Sequence, residues 1–422
     1  MRRLVTSVFA FAFVCQRAFS ESPAQTETLP LWPPENTVLV AQTHDQEKLW
    51  QKGSLTLGDE RRVMLNQNEN NALVFEWQDA WWSAVRFETT PPANLEPYRQ
   101  DGGVVFTLQL EKFDNAGFDI AYLCGNGCER KVTVTHQISK LLGKGPQTVK
   151  LPAGCLIREH ESAGFIRVPL RFGAGGSGKA TFTSVRWQKN LQAVDGTTLE
   201  CPDQKTVAIT PQPLNEHWAL SWWMPRHQEK LKQARDNNPE LIFIGDSITE
   251  GWEKSGAKVF EKYFGDYRTL NLGYGGDRTE NVLWRLQHGE VDETDPKLVV
   301  LMIGTNNTGH RQDDPARIAE GIQHILVELE QRVPNSKVLL LAIYPRGATA
   351  DDVLRKNNAL VNARIRNFAD NKRVFFKDIN SVLLTQDGVL TEKVMPDLLH
   401  PEVYGYTLVA EAIKGDIEKL MR

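Results

Sequence analysis

The chain of 422 residues changes its hydrophobic pattern once, and this change constrains the fold more than any other feature of the sequence. In residues 36–189, short runs such as 104–110 and 118–122 have strand composition with partial alternation, and glycine-containing turns separate them. Many short strands with regular turn signals are typical of an all-β sandwich or jelly roll. The polar segment 190–213, which carries scattered prolines, is interpreted as a linker.

Residues 214–422 follow a different pattern, in which short continuous apolar runs alternate with amphipathic helical segments. The apolar runs are residues 241–244, 269–272, 298–303, 338–343 and 374–376. Continuous apolar strands separated by helices predict an α/β domain with a parallel sheet that is covered on both faces. Such sheets bind ligands at the carboxyl ends of their strands.

The N-terminus has the pattern of an export signal. Arg2 and Arg3 precede an apolar stretch over residues 4–14, and Ala18 and Ser20 supply the small residues of a cleavage site after Ser20. We therefore expect residues 1–20 to be removed and the protein to be secreted or periplasmic. No later segment is apolar enough to predict a membrane span. A net charge of −4 gives no indication of nucleic-acid binding.

Export would remove Cys15 and leave four cysteines, Cys124, Cys128, Cys155 and Cys201. An even number in an oxidising compartment favours disulfides, and four cysteines allow three pairings. Cys124 and Cys128 flank a short glycine-containing loop and are expected to pair, which leaves Cys155 for Cys201. A metal site is the alternative, but no histidine stands at ligand spacing from this cluster.

Residues with catalytic potential follow the predicted strands. Ser247 comes directly after the first apolar run, within Gly245-Asp246-Ser247, where a serine is exposed above the sheet. A serine nucleophile needs a base and a group that orients the base. Asp397 and His400 have a spacing that allows both roles on one turn. The alternatives are a helix-capping serine and an ordinary surface Asp and His.

Two other strand ends carry possible donors to an oxyanion. Gly276 lies in the glycine-rich segment 273–277, and glycine permits close approach of a backbone N–H to a substrate oxygen. Asn306 follows the third apolar run and has a side-chain amide that can donate to a developing negative charge. Taken singly, both are ordinary turn residues. Their order along the chain, each after its own strand, favours the catalytic interpretation.

These blocks resemble the SGNH (GDSL) hydrolase superfamily from about Trp218 to the C-terminus, and within it the brain-type platelet-activating-factor acetylhydrolase catalytic subunits and their bacterial relatives. The matching stretches are residues 245–247, 271–277, 282–286, 304–307, 345–347 and 397–400. The resemblance implies a flavodoxin-like domain with five parallel strands, needing no cofactor or metal. It also implies that Ser247 is the nucleophile, His400 the base and Asp397 its orienting partner. The implied oxyanion donors are Ser247 and Gly276 N–H and the Asn306 amide.

The resemblance further implies that the acyl group is small, chiefly acetyl. Ile248 stands where the family signature has leucine, which leaves the chemistry intact and changes the shape of the acyl pocket. Ile248, Thr305 and Leu399 neighbour the predicted catalytic residues and are expected to wall this pocket. Their alternative role is packing in the core.

The first domain resembles the galactose-binding-like accessory domain of ExoP-type bacterial β-glucosidases, a jelly-roll sandwich. The stretches that carry this resemblance are residues 75–82, 124–128 and 149–155. Trp77, Trp81 and Trp82 are candidates for stacking on sugar rings, and the alternative is that they pack in the core.

Three functional hypotheses follow from these observations. The first is an exported serine esterase that removes acetyl groups from an acetylated glycan. The second is an acetylhydrolase that acts on short-chain acyl lipids such as platelet-activating-factor-like phospholipids. The third is a non-catalytic glycan-binding protein, which the full set of catalytic residue types argues against. The sequence gives no indication of an oligomeric state.

Overall fold

The computed structural model describes residues 27–34, 36–43, 45–50, 53–125, 128–159 and 161–422. The predicted export signal, including Cys15, lies outside these residues.

The first domain is an all-β domain built around three long, bent strands, β6, β7 and β10. Its strands are β1 (Thr28–Trp32), β2 (Thr37–Thr43), β3 (Glu47–Trp50), β4 (Leu55–Leu57), β5 (Arg62–Gln67), β6 (Leu73–Thr89), β7 (Gly103–Gly125), β8 (Cys128–Thr133), β9 (Gln147–Pro152), β10 (Val168–Gln188) and β11 (Thr197–Thr198). One short helix, α1 (Thr135–Ser139), follows β8.

The strands form one hydrogen-bonded network with the order β11-β9-β7-β10-β6-β2-β3, and β1, β4, β5 and β8 pair at its sides. Bulges divide the long strands, so that one half of β6 pairs with β2 and the other half with β5. Alternate side chains, such as Val63 and Leu65 of β5, point inward and are fully buried in one apolar core. This architecture confirms the predicted sandwich. Trp77 belongs to its core, where its indole N–H donates to Gly175 O at 2.9 Å.

Strand pairing continues beyond both ends of residues 36–189. β1 precedes the expected start at Asn36 and pairs with β10. The segment 190–213, interpreted from its sequence as a linker, is held at several points, because β11 pairs with β9 and Cys201 is bonded to Cys155. Its Ala208 carbonyl also accepts a hydrogen bond from Thr279 of the second domain at 2.8 Å. Polar composition alone does not reveal such backbone pairing.

The second domain contains the predicted parallel sheet of five strands, with order β13-β12-β14-β15-β16. The strands are β12 (Leu241–Gly245), β13 (Thr269–Gly273), β14 (Leu298–Met302), β15 (Lys337–Leu341) and β16 (Val374–Lys377). The helices are α2 (Trp223–Asn237), α3 (Ser247–Glu250), α4 (Ala257–Phe264), α5 (Thr279–Gln287), α6 (Pro315–Arg332), α7 (Val353–Ile365) and α8 (Val403–Leu420).

Helices cover both faces of this sheet and make two separate apolar cores. α2, α5, α6 and α7 pack on one face, and α4 and α8 on the other. α6 shows how the sequence produces this arrangement. Asp314 accepts a hydrogen bond from the N–H of Ala316 at 2.7 Å, Pro315 opens the helix, and the apolar stripe that includes Ile318 and Ile322 is buried. Within the described residues, no helix has the length and apolarity needed to cross a membrane.

Candidate active site

Ser247 lies at the carboxyl end of β12, at the first position of α3. Asp246 caps this short helix, because its Oδ1 accepts a hydrogen bond from the backbone N–H of Ile248 at 3.0 Å. The turn leaves Ser247 partly exposed while both residues beside it are buried. The sheet therefore presents the serine hydroxyl at the edge where ligands of parallel sheets bind.

His400 and Asp397 reach this serine from the loop before α8. Ser247 Oγ lies 2.8 Å from His400 Nε2, and His400 Nδ1 lies 2.6 Å from Asp397 Oδ2. The other Asp397 oxygen accepts the backbone N–H groups of His400 at 2.7 Å and Leu399 at 3.0 Å. The turn between Asp397 and His400 passes through a left-handed conformation at Leu398, with φ +58°. The structure thus brings the three predicted catalytic residues into one hydrogen-bonded chain.

The contacts of Asp397 favour its ionised form. Partial burial acts to raise its pKa, but hydrogen bonds from the side chain and backbone of His400 outweigh that effect and hold the pKa below its ordinary value. A carboxylate at Nδ1 keeps the proton on that nitrogen and leaves Nε2 free to accept a proton from the serine.

The two predicted donors from neighbouring strands lie in the same cavity as Ser247 and His400. Gly276, after β13, has a φ of +79°, and the indole of Trp218 packs directly against it. Asn306, after β14, donates one amide N–H to the carbonyl of Asp277 at 3.0 Å, which fixes the orientation of its side chain. A fixed amide and a constrained backbone are the properties that oxyanion stabilisation requires.

A buried ionic network supports the loop that carries Gly276. Arg285 Nε donates to Asp277 Oδ2 at 2.8 Å, and the indole N–H of Trp223 donates to Asp277 Oδ1 at 2.7 Å. Arg285 also pairs with Glu290, and the side chains of Arg285, Asp277 and Glu290 are fully buried. Sequence analysis assigned no role to these residues. The signal was present in Arg285, a charged residue within the apolar stretch 282–286.

Two of the three residues expected to wall the acyl pocket do not line the cavity. Ile248 is 2% exposed and packs in the core with Phe243 and Trp252. Thr305 is also buried, and its carbonyl accepts a hydrogen bond from Arg346 at 2.9 Å. This corrects the expectation for Ile248 and Thr305, because α3 directs Ile248 toward the sheet and Thr305 faces Arg346.

Leu399 does line the cavity, which has a volume of about 640 Å³ and lies between the two domains. The catalytic domain contributes Ser247, Gly276, Asn306 and His400, together with Gly275, Gly309 and His310. The β domain contributes the opposite wall, which includes Trp81, Trp82, Phe118, Asp119, Lys131, Thr133, Thr135 and Gly175. Glu216, His217 and Trp218, from the connecting segment, complete the cavity.

Both disulfides pair as predicted, Cys124 with Cys128 and Cys155 with Cys201. Within the parts of the chain that the structure describes, no cluster of three or more His, Cys, Asp or Glu side chains is placed to hold a metal ion.

The chain matches two protein families, one in each half. Residues 243–408 match the GDSL-like lipase/acylhydrolase family, and residues 38–187 match a galactose-binding domain-like family. The platelet-activating factor acetylhydrolase IB subunit alpha1 of Homo sapiens is 32% identical over 219 residues, which are 52% of this chain and 92% of the human protein.

Solved structures resemble the halves separately. A GDSL-like lipase from Bacteroides thetaiotaomicron has 21% identity and a TM-score of 0.39, covering 46% of this chain and 97% of that one. The extra C-terminal domain of an exo-1,3/1,4-β-glucanase from a Pseudoalteromonas species has 16% identity and a TM-score of 0.34, covering 41% and 99%.

The five-stranded α/β domain and the match along the human relative define a carboxylic ester hydrolase of the SGNH type. The chain belongs to the GDSL-like lipase/acylhydrolase family, and a galactose-binding-like domain precedes its catalytic domain.

Proposed function

We propose that this protein is an exported esterase that removes acetyl groups from the hydroxyls of a carbohydrate. The observation that carries the proposal is the position of Ser247 and His400 in a cavity whose opposite wall belongs to the galactose-binding-like domain. A catalytic domain without this wall would leave the serine open to solvent on that side. The relatives named as acetylhydrolases support acetyl as the acyl group.

In this proposal Ser247 attacks the ester carbonyl carbon, and its hydroxyl proton moves to Nε2 of His400. The negative charge that develops on the carbonyl oxygen is stabilised by the backbone N–H groups of Ser247 and Gly276 and by the amide of Asn306. Collapse of this intermediate breaks the ester bond, and the departing sugar oxygen takes the proton from His400 and leaves as a hydroxyl.

Water completes the cycle. It gives a proton to His400 and attacks the acetyl-enzyme. The second tetrahedral intermediate then collapses, the bond between the acyl carbon and Ser247 Oγ breaks, acetate leaves, and His400 returns the proton to Oγ. Asp397 accepts the hydrogen bond from Nδ1 throughout and stabilises the imidazolium that forms in each half of the reaction.

The test is acetate release from acetylated xylan and from sugar acetates by the wild type and by Ser247→Ala. We expect release by the wild type and a loss of at least about 10³-fold in the variant, since no other group replaces the nucleophile. A serine-directed phosphonate should label the wild type and leave the variant unlabelled. Equal acetate release by both proteins would overturn the assignment of Ser247.

A second candidate function is hydrolysis of short-chain acyl lipids, which the names of the mammalian relatives favour. Strong Ser247-dependent activity on an acetylated ether phospholipid, with none on sugar acetates, would support this function and exclude the carbohydrate substrate.

Export belongs to the same proposal. The basic and apolar N-terminal sequence supports it, as do two disulfides, which persist in oxidising compartments. N-terminal sequencing of the protein from the periplasm or culture medium should begin at Glu21. A product in the cytosol that retains Met1 would contradict export.

A further inference from the structure

The β domain presents two consecutive tryptophans, Trp81 and Trp82, to the catalytic cavity. In a regular strand, successive side chains point to opposite faces of the sheet. Here β6 pairs with β10 through Ala80–Gly176 and Ser83–Ala174, so that both tryptophans lie opposite the single residue Gly175. This is a β-bulge, and bulges redirect side chains next to functional sites.

The ring of Trp82 is held in place by a neighbouring cation. The guanidinium of Arg171 lies 5.1 Å from the centre of this ring, within cation–π range. Arg171 is 4% exposed and is itself fixed by Asp119 and Glu129, each at 2.7 Å. A ring ordered before binding loses little entropy when a ligand packs against it.

Trp81 is unusual in being a large apolar side chain that is 62% exposed beside an active site. An aromatic ring with an accessible surface offers a flat apolar contact, which suits the C–H face of a sugar ring. Lys131 of β8 lines the same cavity and can donate hydrogen bonds to hydroxyl oxygens. Binding sites of this kind combine apolar surfaces with a few polar groups that fix orientation.

The cavity continues beyond the serine along the boundary between the domains. A second cavity of about 460 Å³ shares Trp82, Lys131, Gly309 and His310 with the first and extends to Arg86 on β6. Because the two cavities share these lining residues, the second space lies next to the first on the side of Trp82, where a second sugar ring of a longer ligand would be placed.

The relative position of the domains is fixed close to this wall. The imidazole of His217 packs against two glycines of the β domain. A Cβ on Gly117 would lie 2.2 Å from its Nδ1, and one on Gly175 would lie 2.1 Å from its Nε2. The next residue, Trp218, packs against Gly276 of the catalytic domain. The short segment His217-Trp218 therefore fixes the position of Trp81 and Trp82 relative to Ser247.

We propose that Trp81, Trp82 and Lys131 form the binding site for the alcohol part of the ester, and that this part is an oligosaccharide of at least two rings. This inference rests on the proposed function and deepens it. The β domain then contributes substrate-binding residues to the active site. It determines which ester is cleaved, while the catalytic domain supplies the catalytic residues.

The test compares Trp81→Ala and Lys131→Met on two substrates, acetylated xylo-oligosaccharide and p-nitrophenyl acetate, whose leaving group is a single small ring. We expect kcat/KM for the oligosaccharide to fall about 10- to 100-fold through KM, since one lost contact of 1.4 kcal/mol corresponds to about tenfold. Activity on p-nitrophenyl acetate should change by less than about threefold. Phe165→Ala is the matched control, because Phe165 is an exposed aromatic of the same domain that does not line this cavity.

A binding measurement separates this inference from the esterase proposal. In the Ser247→Ala background, titration with acetylated xylo-oligosaccharide should saturate, and adding Trp81→Ala should weaken the dissociation constant by a similar factor. Trp81→Phe, which keeps a ring, should restore most of the affinity. Equal losses on both substrates, or no loss on the oligosaccharide, would overturn the inference and leave the esterase function standing. Loss of Ser247 dependence on p-nitrophenyl acetate would instead overturn the esterase function.

Discussion

Trp218 packs so closely on Gly276 that a Cβ added to this glycine would lie 2.1 Å from Cη2 of the indole. Trp218 in turn stacks on Trp222, with the ring centres 6.3 Å apart. The carbonyl of Trp218 accepts a hydrogen bond from the indole N–H of Trp222 at 2.8 Å. The backbone proposed to stabilise the oxyanion is therefore shaped by an aromatic cluster from the segment that joins the domains.

Gly276→Ala should disable the enzyme without unfolding it. The new methyl group would collide with Trp218, and alanine is strained at a φ of +79°. We expect kcat on p-nitrophenyl acetate to fall by about 10²–10³, the usual cost of losing one oxyanion donor. Gly289→Ala is the control, because Gly289 has a φ of +90° but its Cβ would meet no atom closer than 3.7 Å. Similar kcat losses in both variants would mean that backbone strain alone is responsible.

Asp397→Asn should lower kcat while leaving KM nearly unchanged. The asparagine amide disfavours the imidazole tautomer in which Nδ1 carries the proton, and an aspartate of this kind is worth up to about 10⁴ in turnover in other serine hydrolases. Because the Asp397 side chain is 55% exposed and water can partly replace it, we expect about 10². Steady-state kinetics on p-nitrophenyl acetate measure the change. A loss below about threefold would show that His400 is oriented by other groups.

Asp246→Asn should stabilise the protein at neutral pH but not at acid pH. Burial raises the pKa of Asp246 from 3.8 to about 6, and its Oδ2 has no hydrogen-bond partner in the described part of the chain. A pKa that is higher in the folded state adds stability below the unfolded pKa, and this is lost as the pH rises through about 6. Each pKa unit corresponds to about 1.4 kcal/mol.

Thermal unfolding between pH 3 and pH 8 measures this effect. The Tm of Asp246→Asn minus that of the wild type should rise between pH 4 and pH 7, the range set by the raised pKa of Asp246. Asp370→Asn is the control of opposite sign, because backbone hydrogen bonds from Lys372 and Val374 lower the pKa of Asp370. Its wild-type carboxylate stabilises the fold at pH values above the unfolded pKa. A pH-independent difference for Asp246→Asn would contradict the raised pKa.

The two disulfides should differ in their contribution to stability. The bridge between Cys155 and Cys201 spans 46 residues, whereas the bridge between Cys124 and Cys128 spans 4. In the loop-entropy model, removing the first costs about 4 kcal/mol and removing the second about 2 kcal/mol. Paired Cys→Ala variants compared by urea denaturation should show this order. The reverse order would indicate that strain or unfolded-state structure dominates.

The sequence predicted those parts of the fold that depend on local pattern. The five apolar runs correspond to strands β12 to β16. The turns after β12, β13 and β14 place Ser247, Gly276 and Asn306 along one cavity. The pairing of Asp397 with His400 could also be predicted from the sequence, because both residues belong to one turn.

Features that depend on contacts between distant segments could not be predicted in the same way. The burial of Ile248 depends on the sheet beneath it and not on its neighbours in the chain. β1 and β11 are short and pair with the distant strands β10 and β9, and no local sequence pattern specifies such partners. The position of Trp81 and Trp82 opposite the serine results from a bulge and from the docking of one domain on the other.

The packing of His217 against Gly117 and Gly175 limits how this protein can be re-engineered. A chimera that joins the catalytic domain to a different sandwich domain would need glycine at the two matching positions of that sandwich. Any side chain there would push the imidazole away and, through Trp218, disturb Gly276. Recombination between relatives should therefore keep residues 117–276 from one parent, with any crossover placed outside this range.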